Sequence, residues 1–409
     1  MSQCASGASR FFSANRAELG LALSILVVLG LTSVLDERHI YWQNPWPSFV
    51  DIVRQSSMLG IFALGSAVVI IAGGIDLSCG SVIAFSGTIC ATLLVLLAPE
   101  EMRTAAVLRP PVIAAAIAGT VLVGLAIGSL HAWLITVVRL PPFVATLATL
   151  VGLRSLGRSI VENTSALHLG GKSTQIQIYD AGFRYLATSV WIPATLFLVL
   201  AATAWLLLSR TVTGRHLYAL GGNEEAARLS GIRTDSLKWL AYCVGASCST
   251  LAGILYIADQ SVADPQNLGR GYELNAIAAA VVGGCSLQGG VGTVQGTVLG
   301  VVFLRTVIDG VAKIIKTGAD VYEGLIVGIL VVVAVAFNQL RQRGEPGRSL
   351  FPGVLGTVAG ATLAAVAGVL AAILAGGVAG AAASVAALAA VVAAKIIART
   401  PARTRGEPR

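Results

Sequence analysis

The sequence predicts an all-α, polytopic integral membrane protein of about ten transmembrane segments, some of them broken or re-entrant. Three observations carry that prediction. Of 409 residues, 56% are hydrophobic and only 12% charged, whereas soluble domains carry about a quarter charged residues. Mean hydropathy is +0.81. The apolar residues fall in runs of membrane-crossing length, given that a helix needs about 20 residues to span the hydrocarbon core. A single soluble core cannot bury that much apolar surface, so the bilayer is the solvent.

The elements follow in order. A polar tail, residues 1–17 with Arg10 and Arg16, precedes an apolar run at 19–35. No small-x-small cleavage site follows, so an uncleaved first helix is expected rather than a removed signal. Further runs cover approximately 58–74, 79–98, 112–138, 143–160, 190–208, 237–257, 273–284, 291–309 and 321–340. Two interruptions are rich in glycine, at 73–80 and 283–290. Lipid tolerates such breaks only where protein or a water-filled cavity satisfies the freed backbone. With the N-terminus inside, the positive-inside rule puts Arg10, Arg16, Arg139 and the basic loop 209–238 in the cytoplasm, and leaves Lys313 and Lys316 outside. The expected organisation is a cytoplasmic tail (1–17), a transmembrane domain (18–345) and an Ala/Gly-rich apolar extension with a basic tail (346–409). Within the extension, 353–397 has the length for two further spans, with a low-complexity appendage as the alternative.

The two interruptions echo each other. "GGIDLSCG" (73–80) aligns with "GGCSLQGG" (283–290), matching Asp76 with Ser286 and Gly80 with Gly290. In this topology both enter from outside and return, and internal repeats of that kind flank the solute path in many transporter folds. Asp76 has two compatible readings. An intramembrane charge usually faces a cavity or a partner, which suits contact with a solute. A carboxylate before a helix also accepts backbone N–H groups, here from residues such as Ser78 and Cys79.

The central loop contains a short helix with clear ends. Asn223 is its N-cap, Glu224 and Glu225 lie in the first turn, and Gly231 stops it. A helix this short is marginal in water, so docking against a partner is favoured over a solvated connector.

At "GGNEEAARLSGI" the sequence resembles the coupling loop of bacterial ABC-importer permeases of the monosaccharide class, for ribose, xylose and galactose. "IAGGIDLSCGSVIAFSG", "LITVVRLPPFVATLATLVGLRSLGR" and "GRGYELNAIAAAVVGGCSLQGGVGTVQGTVLG" resemble three further blocks of that family, in the family's order. The second of these carries Pro142, Phe143, Thr146 and Leu147. The resemblance implies a permease that moves sugar into the cytoplasm of a bacterium across its inner membrane. It implies a separate ABC ATPase that holds ATP and Mg, an extracytoplasmic sugar-binding protein, and a second permease copy. Carried over residue by residue, the coupling helix is Asn223, Glu224, Glu225, Ala226, Ala227, Arg228, Leu229, Ser230 and Gly231. The expected translocation path takes Gly73, Gly74, Asp76, Ser78, Asn275, Ser286 and Gln288. His131, Asn275, Gln288 and Val291 depart from the family's usual residues, and they leave the sugar open.

Other chemistry is not indicated. "ALHLGGKST" (166–174) ends like a phosphate-binding loop but has Ala166 in place of the leading glycine and no preceding strand, so no nucleotide site is expected in this chain. There is no Gly-x-Ser-x-Gly or His-Glu-x-x-His pattern, and the four histidines are scattered, so neither catalytic residues nor a metal site is expected. The net charge of +8 reads as positive-inside bias rather than nucleic-acid binding. The competing function is an ion-coupled secondary transporter of a small polar solute, for which Asp76, Arg305 and Asp309 are the available charges. A structural anchor or a membrane enzyme is the third.

Overall fold

The computed structural model describes residues 16–314, 323–330, 332 and 384–385. The expected hairpin at 353–397 therefore lies outside the described residues, apart from two. Long helices are α1 (Arg16–Leu35), α3 (Pro45–Ile71), α4 (Cys79–Leu97), α6 (Pro110–Thr136), α7 (Pro142–His168), α9 (Trp191–Arg210), α12 (Thr234–Gln260) and α14 (Val294–Ile314). Short ones are α2 (Ile40–Gln43), α5 (Pro99–Thr104), α8 (Ala181–Thr188), α10 (Val212–Gly222), α11 (Glu224–Leu229) and α13 (Tyr272–Val282). A two-residue bridge, β1 (Ile176–Gln177) with β2 (Val262–Ala263), pairs Ile176 with Ala263. Among the described residues, seven helices are long and apolar enough to cross a membrane, and α13 is a shorter apolar one.

Burial separates the helices into a centre and a lipid-facing ring. The apolar windows of α3, α4 and α12 are 89%, 78% and 72% buried, against 17% for α9 and 6% for α1. Helix α12 packs against α3, α4 and α6, and α4 packs against α7. Close approach requires glycine here: a Cβ at Gly253 of α12 would strike the Ile83 carbonyl oxygen of α4. In lipid such packing, rather than exclusion of water, holds helices together.

The structure moves several expected boundaries. The span expected at 58–74 begins at Pro45 and ends at Ile71. Its polar start is accommodated because Arg54 pairs with Asp259, 2.5 Å away, and with Asp51 at 3.1 Å. The span expected at 143–160 continues to His168, so the chain leaves the helix only at Leu169, inside "HLGGKST".

Both expected breaks are present, and both end the incoming helix in the same way. Gly73 (φ 81°) donates its N–H to Ile70 O, and Gly74 donates to Val69 O. Gly284 (φ 93°) donates to Val281 O, and Cys285 donates to Ala280 O. Each is a Schellman cap, in which two orphan carbonyls are satisfied by a left-handed turn. The left-handed residue is the first glycine of one Gly-Gly pair and the second of the other. The helix ends therefore correspond with a one-residue offset from the sequence alignment.

Two substitutions test this. Gly284→Ala meets nothing within 4 Å, so its effect is backbone strain alone, about 1–2 kcal/mol. Gly152 inside α7 also has open space around it, and there Ala removes a helix-interior glycine at a gain of about 0.5–1 kcal/mol. Thermal unfolding of the purified protein in detergent should shift down for Gly284→Ala and up for Gly152→Ala.

Candidate functional site

The residues expected on the path divide between two places. Gly73, Gly74, Asp76 and Ser78 lie in the break between α3 and α4. Ser286 and Gln288 lie in the hairpin between α13 and α14, whereas Asn275 is inside α13 and donates its amide to Glu323 at 3.1 Å. The two breaks meet. The Gly290 N–H donates to Ile71 O at 2.9 Å, so the last carbonyl of α3 is satisfied by the other break. From this junction α14 runs 21 residues, about 31 Å at 1.5 Å per residue. Its far end holds Asp309, which accepts hydrogen bonds from Lys313 and from the Tyr41 hydroxyl. Asp309 lies about 22 Å along that helix from Val294, at 1.5 Å per residue.

Asp76 is buried, and its Oδ1 accepts the Ser78 N–H at 2.8 Å and the Ser78 hydroxyl at 2.5 Å. Helix α4 starts one residue later, at Cys79. The carboxylate thus holds a turn ahead of the helix, and the bond to Cys79 is not made. Ser286 repeats the device more weakly, its hydroxyl accepting the Gln288 N–H at 3.3 Å. Thr146, in the Pro-Phe-x-x-Thr-Leu segment, accepts the Leu77 N–H at 3.2 Å and so ties the break to α7.

His131 and Tyr242 stand close by, their ring centroids 6.3 Å apart. His131 Nε2 shares a hydrogen bond of 2.8 Å with the Thr149 hydroxyl. His131 Nδ1 and the Tyr242 hydroxyl are buried and meet no protein partner among the described residues. Such unpaired polar atoms inside an apolar core are costly unless something polar visits them.

Helix α11 has the expected ends. Asn223 Oδ1 accepts the Ala226 N–H at 2.9 Å. Gly231 (φ 82°) closes a third Schellman cap, with Gly231 N–H on Arg228 O and Ile232 N–H on Ala227 O. Glu224 pairs with Lys238 of the same chain at 2.6 Å, whereas Glu225 is exposed and Leu229 is 84% exposed. Of residues 223–231, Ala227 alone is buried against the protein.

A cavity of about 310 Å³ joins these parts. Its walls include Gly73 and Gly74 of one break, Gln288 of the other, Asn223 and Glu224 at the start of α11, and Lys238 and Tyr242 of α12. Sequence reasoning missed Thr146, Lys238 and Tyr242 as site residues. Lys238 is 14 residues from its partner Glu224, so no local pattern joins them. Thr146 was visible only as part of a motif.

Loss of the Asp76 side chain leaves the buried Ser78 N–H without its acceptor, at about 1–3 kcal/mol. Asp76→Ala should therefore lower the unfolding midpoint. Asp76→Asn, which keeps an acceptor at the same atom, should recover most of the loss in the same melt.

Residues 48–335 match the family described as branched-chain amino acid transport system / permease component. The chain is 32% identical over 344 residues to the ribose import permease protein RbsC of Escherichia coli K12, covering 83% of this chain and 99% of that protein. It is 31% identical over 322 residues to the ribose import permease protein RbsC of Bacillus subtilis 168, covering 79% and 92%. It is also 31% identical over 330 residues to the galactose/methyl galactoside import permease protein MglC of Escherichia coli K12, covering 79% and 94%. No solved structure matches the chain.

Proposed function

The chain belongs to the branched-chain amino acid transport system / permease component family, and we propose that it is the membrane-spanning permease subunit of an ATP-binding-cassette importer that brings a monosaccharide into the bacterial cytoplasm. It is a transport subunit and not an enzyme, as its ribose and galactose relatives are. ATP and Mg are held by a separate ATPase, and a sugar-binding protein delivers solute from outside. A second permease copy completes the path, and the N-terminus lies in the cytoplasm with the loop 209–238. The described part of the transmembrane domain, 18–345, does the transport work, and the extension 346–409 lies beyond the length that the family covers.

The observation that carries the reading is the cavity of about 310 Å³ shared by Gly73, Gly74, Gln288, Asn223 and Glu224. It joins residues expected to pass the sugar with residues expected to receive the ATPase. Its walls supply amide, hydroxyl and backbone groups suited to sugar hydroxyls, and its two charges, Glu224 and Lys238, neutralise each other. The buried polar atoms of Asp76, His131 and Tyr242 continue this polar lining inward. The ATPase docks on the exposed edge formed by Glu225, Ala226, Arg228, Leu229 and Ser230, between the caps Asn223 and Gly231.

The ion-coupled alternative is weaker on the same geometry. Asp309 is committed to Lys313 and Tyr41, and Asp76 is committed through Oδ1 to Ser78. Neither stands as an open ion ligand set.

Two measurements test the proposal. Proteoliposomes holding the permease, its ATPase and its binding protein should accumulate labelled ribose or galactose only with ATP. Uptake driven by a proton gradient without the ATPase would support the alternative instead. Glu225→Arg combined with Leu229→Asp should abolish co-purification of the ATPase while membrane insertion is retained.

A further inference from the structure

The cytoplasmic helix α10 is not part of the coupling helix, yet its backbone lies against both breaks. A Cβ at Gly221 would strike the Ile71 carbonyl oxygen and lie 2.5 Å from the Gly290 nitrogen. Those two atoms are the partners in the hydrogen bond that joins the breaks. Gly221 therefore lies against the junction with backbone touching backbone, and no other residue fits there. From Gly73, a Cβ would lie 3.3 Å from Gly221 Cα, and from Gly289 one would lie 2.7 Å from Gly73 Cα. Three chain segments thus close on one point.

A side chain adds a directed bond one turn earlier. The Tyr218 hydroxyl donates to Gly292 O at 2.8 Å, on the returning arm of the α13–α14 hairpin. Burial pushes the Tyr218 phenol above its usual value, so it remains protonated and able to donate throughout the physiological range. Leu217 and Leu220 of the same helix are buried beneath it. The next residue after α10 is Asn223, the N-cap of the coupling helix. No flexible linker separates the ATPase-facing helix from the junction.

We propose that Gly221 and Tyr218 are positioning residues that fasten α10 to both broken helices, so that displacement of the coupling helix moves the two breaks together. The inference rests on the importer reading above, and it adds which atoms carry the motion. Gly221 sets the contact by lacking a side chain, and Tyr218 sets its direction. A side chain at 221 holds α10 away from the junction, and loss of the hydroxyl at 218 lets the hairpin lag behind. In either case ATP hydrolysis continues and sugar movement fails to keep pace.

The test uses the full permease–ATPase assembly in proteoliposomes, with labelled ribose or galactose and the binding protein present. Gly221→Ala should leave ATPase co-purification unchanged and lower sugar transported per ATP hydrolysed by about tenfold, a typical coupling between sites. Tyr218→Phe should lower the same ratio by about fivefold, at the lower end of such couplings. Gly222→Ala, where nothing lies within 4 Å of the added carbon, should keep the wild-type ratio. An unchanged ratio in a folded Gly221→Ala protein overturns the proposal. Where Gly221→Ala does not fold, Tyr218→Phe decides alone, and an unchanged ratio there overturns it equally. If the wild-type protein binds no ATPase, the importer reading is what fails. The linkage is then read by amide hydrogen exchange across 283–293, which Tyr218→Phe should accelerate and Gly222→Ala should not. Equal exchange in both variants overturns it.

Discussion

A helix that ends in a buried core leaves carbonyl groups with no water to meet them, and each one left bare costs about 1–3 kcal/mol. The bond from the Gly290 N–H to the Ile71 carbonyl is this protein's answer at the end of α3. It uses a donor from a second broken helix, far away in sequence, to finish the first. The two breaks are therefore mutually dependent: neither is complete without the other. The Schellman caps at Gly73 and Gly284 satisfy the neighbouring carbonyls locally and turn the chain toward that meeting point.

The rest of the architecture serves the same junction. Buried helices α3, α4 and α12 form a centre in which glycines allow close contact, while α1 and α9 present apolar surface to lipid. Thr146 fixes the first break to α7, and Asp76 fixes the turn into α4. At the ends away from the junction, Arg54 with Asp259 locks α3 to α12. The Arg154 guanidinium donates to the carbonyls of Pro265, Gln266, Leu268 and Gly269, which holds the segment leading into α13.

Local features were legible in the sequence, and tertiary ones were not. The short helix α11 was readable because its caps, Asn223 and Gly231, act within a few residues. Both breaks announced themselves as Gly-Gly pairs. That they touch each other was not readable, since Ile71 and Gly290 are distant in the chain and nothing in either residue names its partner. The start of α3 was misjudged because Asp51 and Arg54 look like loop residues until Asp259 is seen beside them. The offset between the two Gly-Gly pairs was hidden because sequence alignment matches letters, whereas the helix end is set by which glycine takes positive φ. Gly221 did carry a signal: a Gly-Gly pair closing an otherwise ordinary helix marks a place where another backbone comes close.

The central claim is that α10 and the second break behave as one body during transport. Spin labels at Ala219 and Val291, both exposed, report on it directly in the reconstituted assembly with and without ATP, on a cysteine-free background. Pulsed electron–electron distance measurement should give the same label-to-label distance in both states. A distance that changes between the two states would show α10 sliding past the hairpin, and would contradict the account.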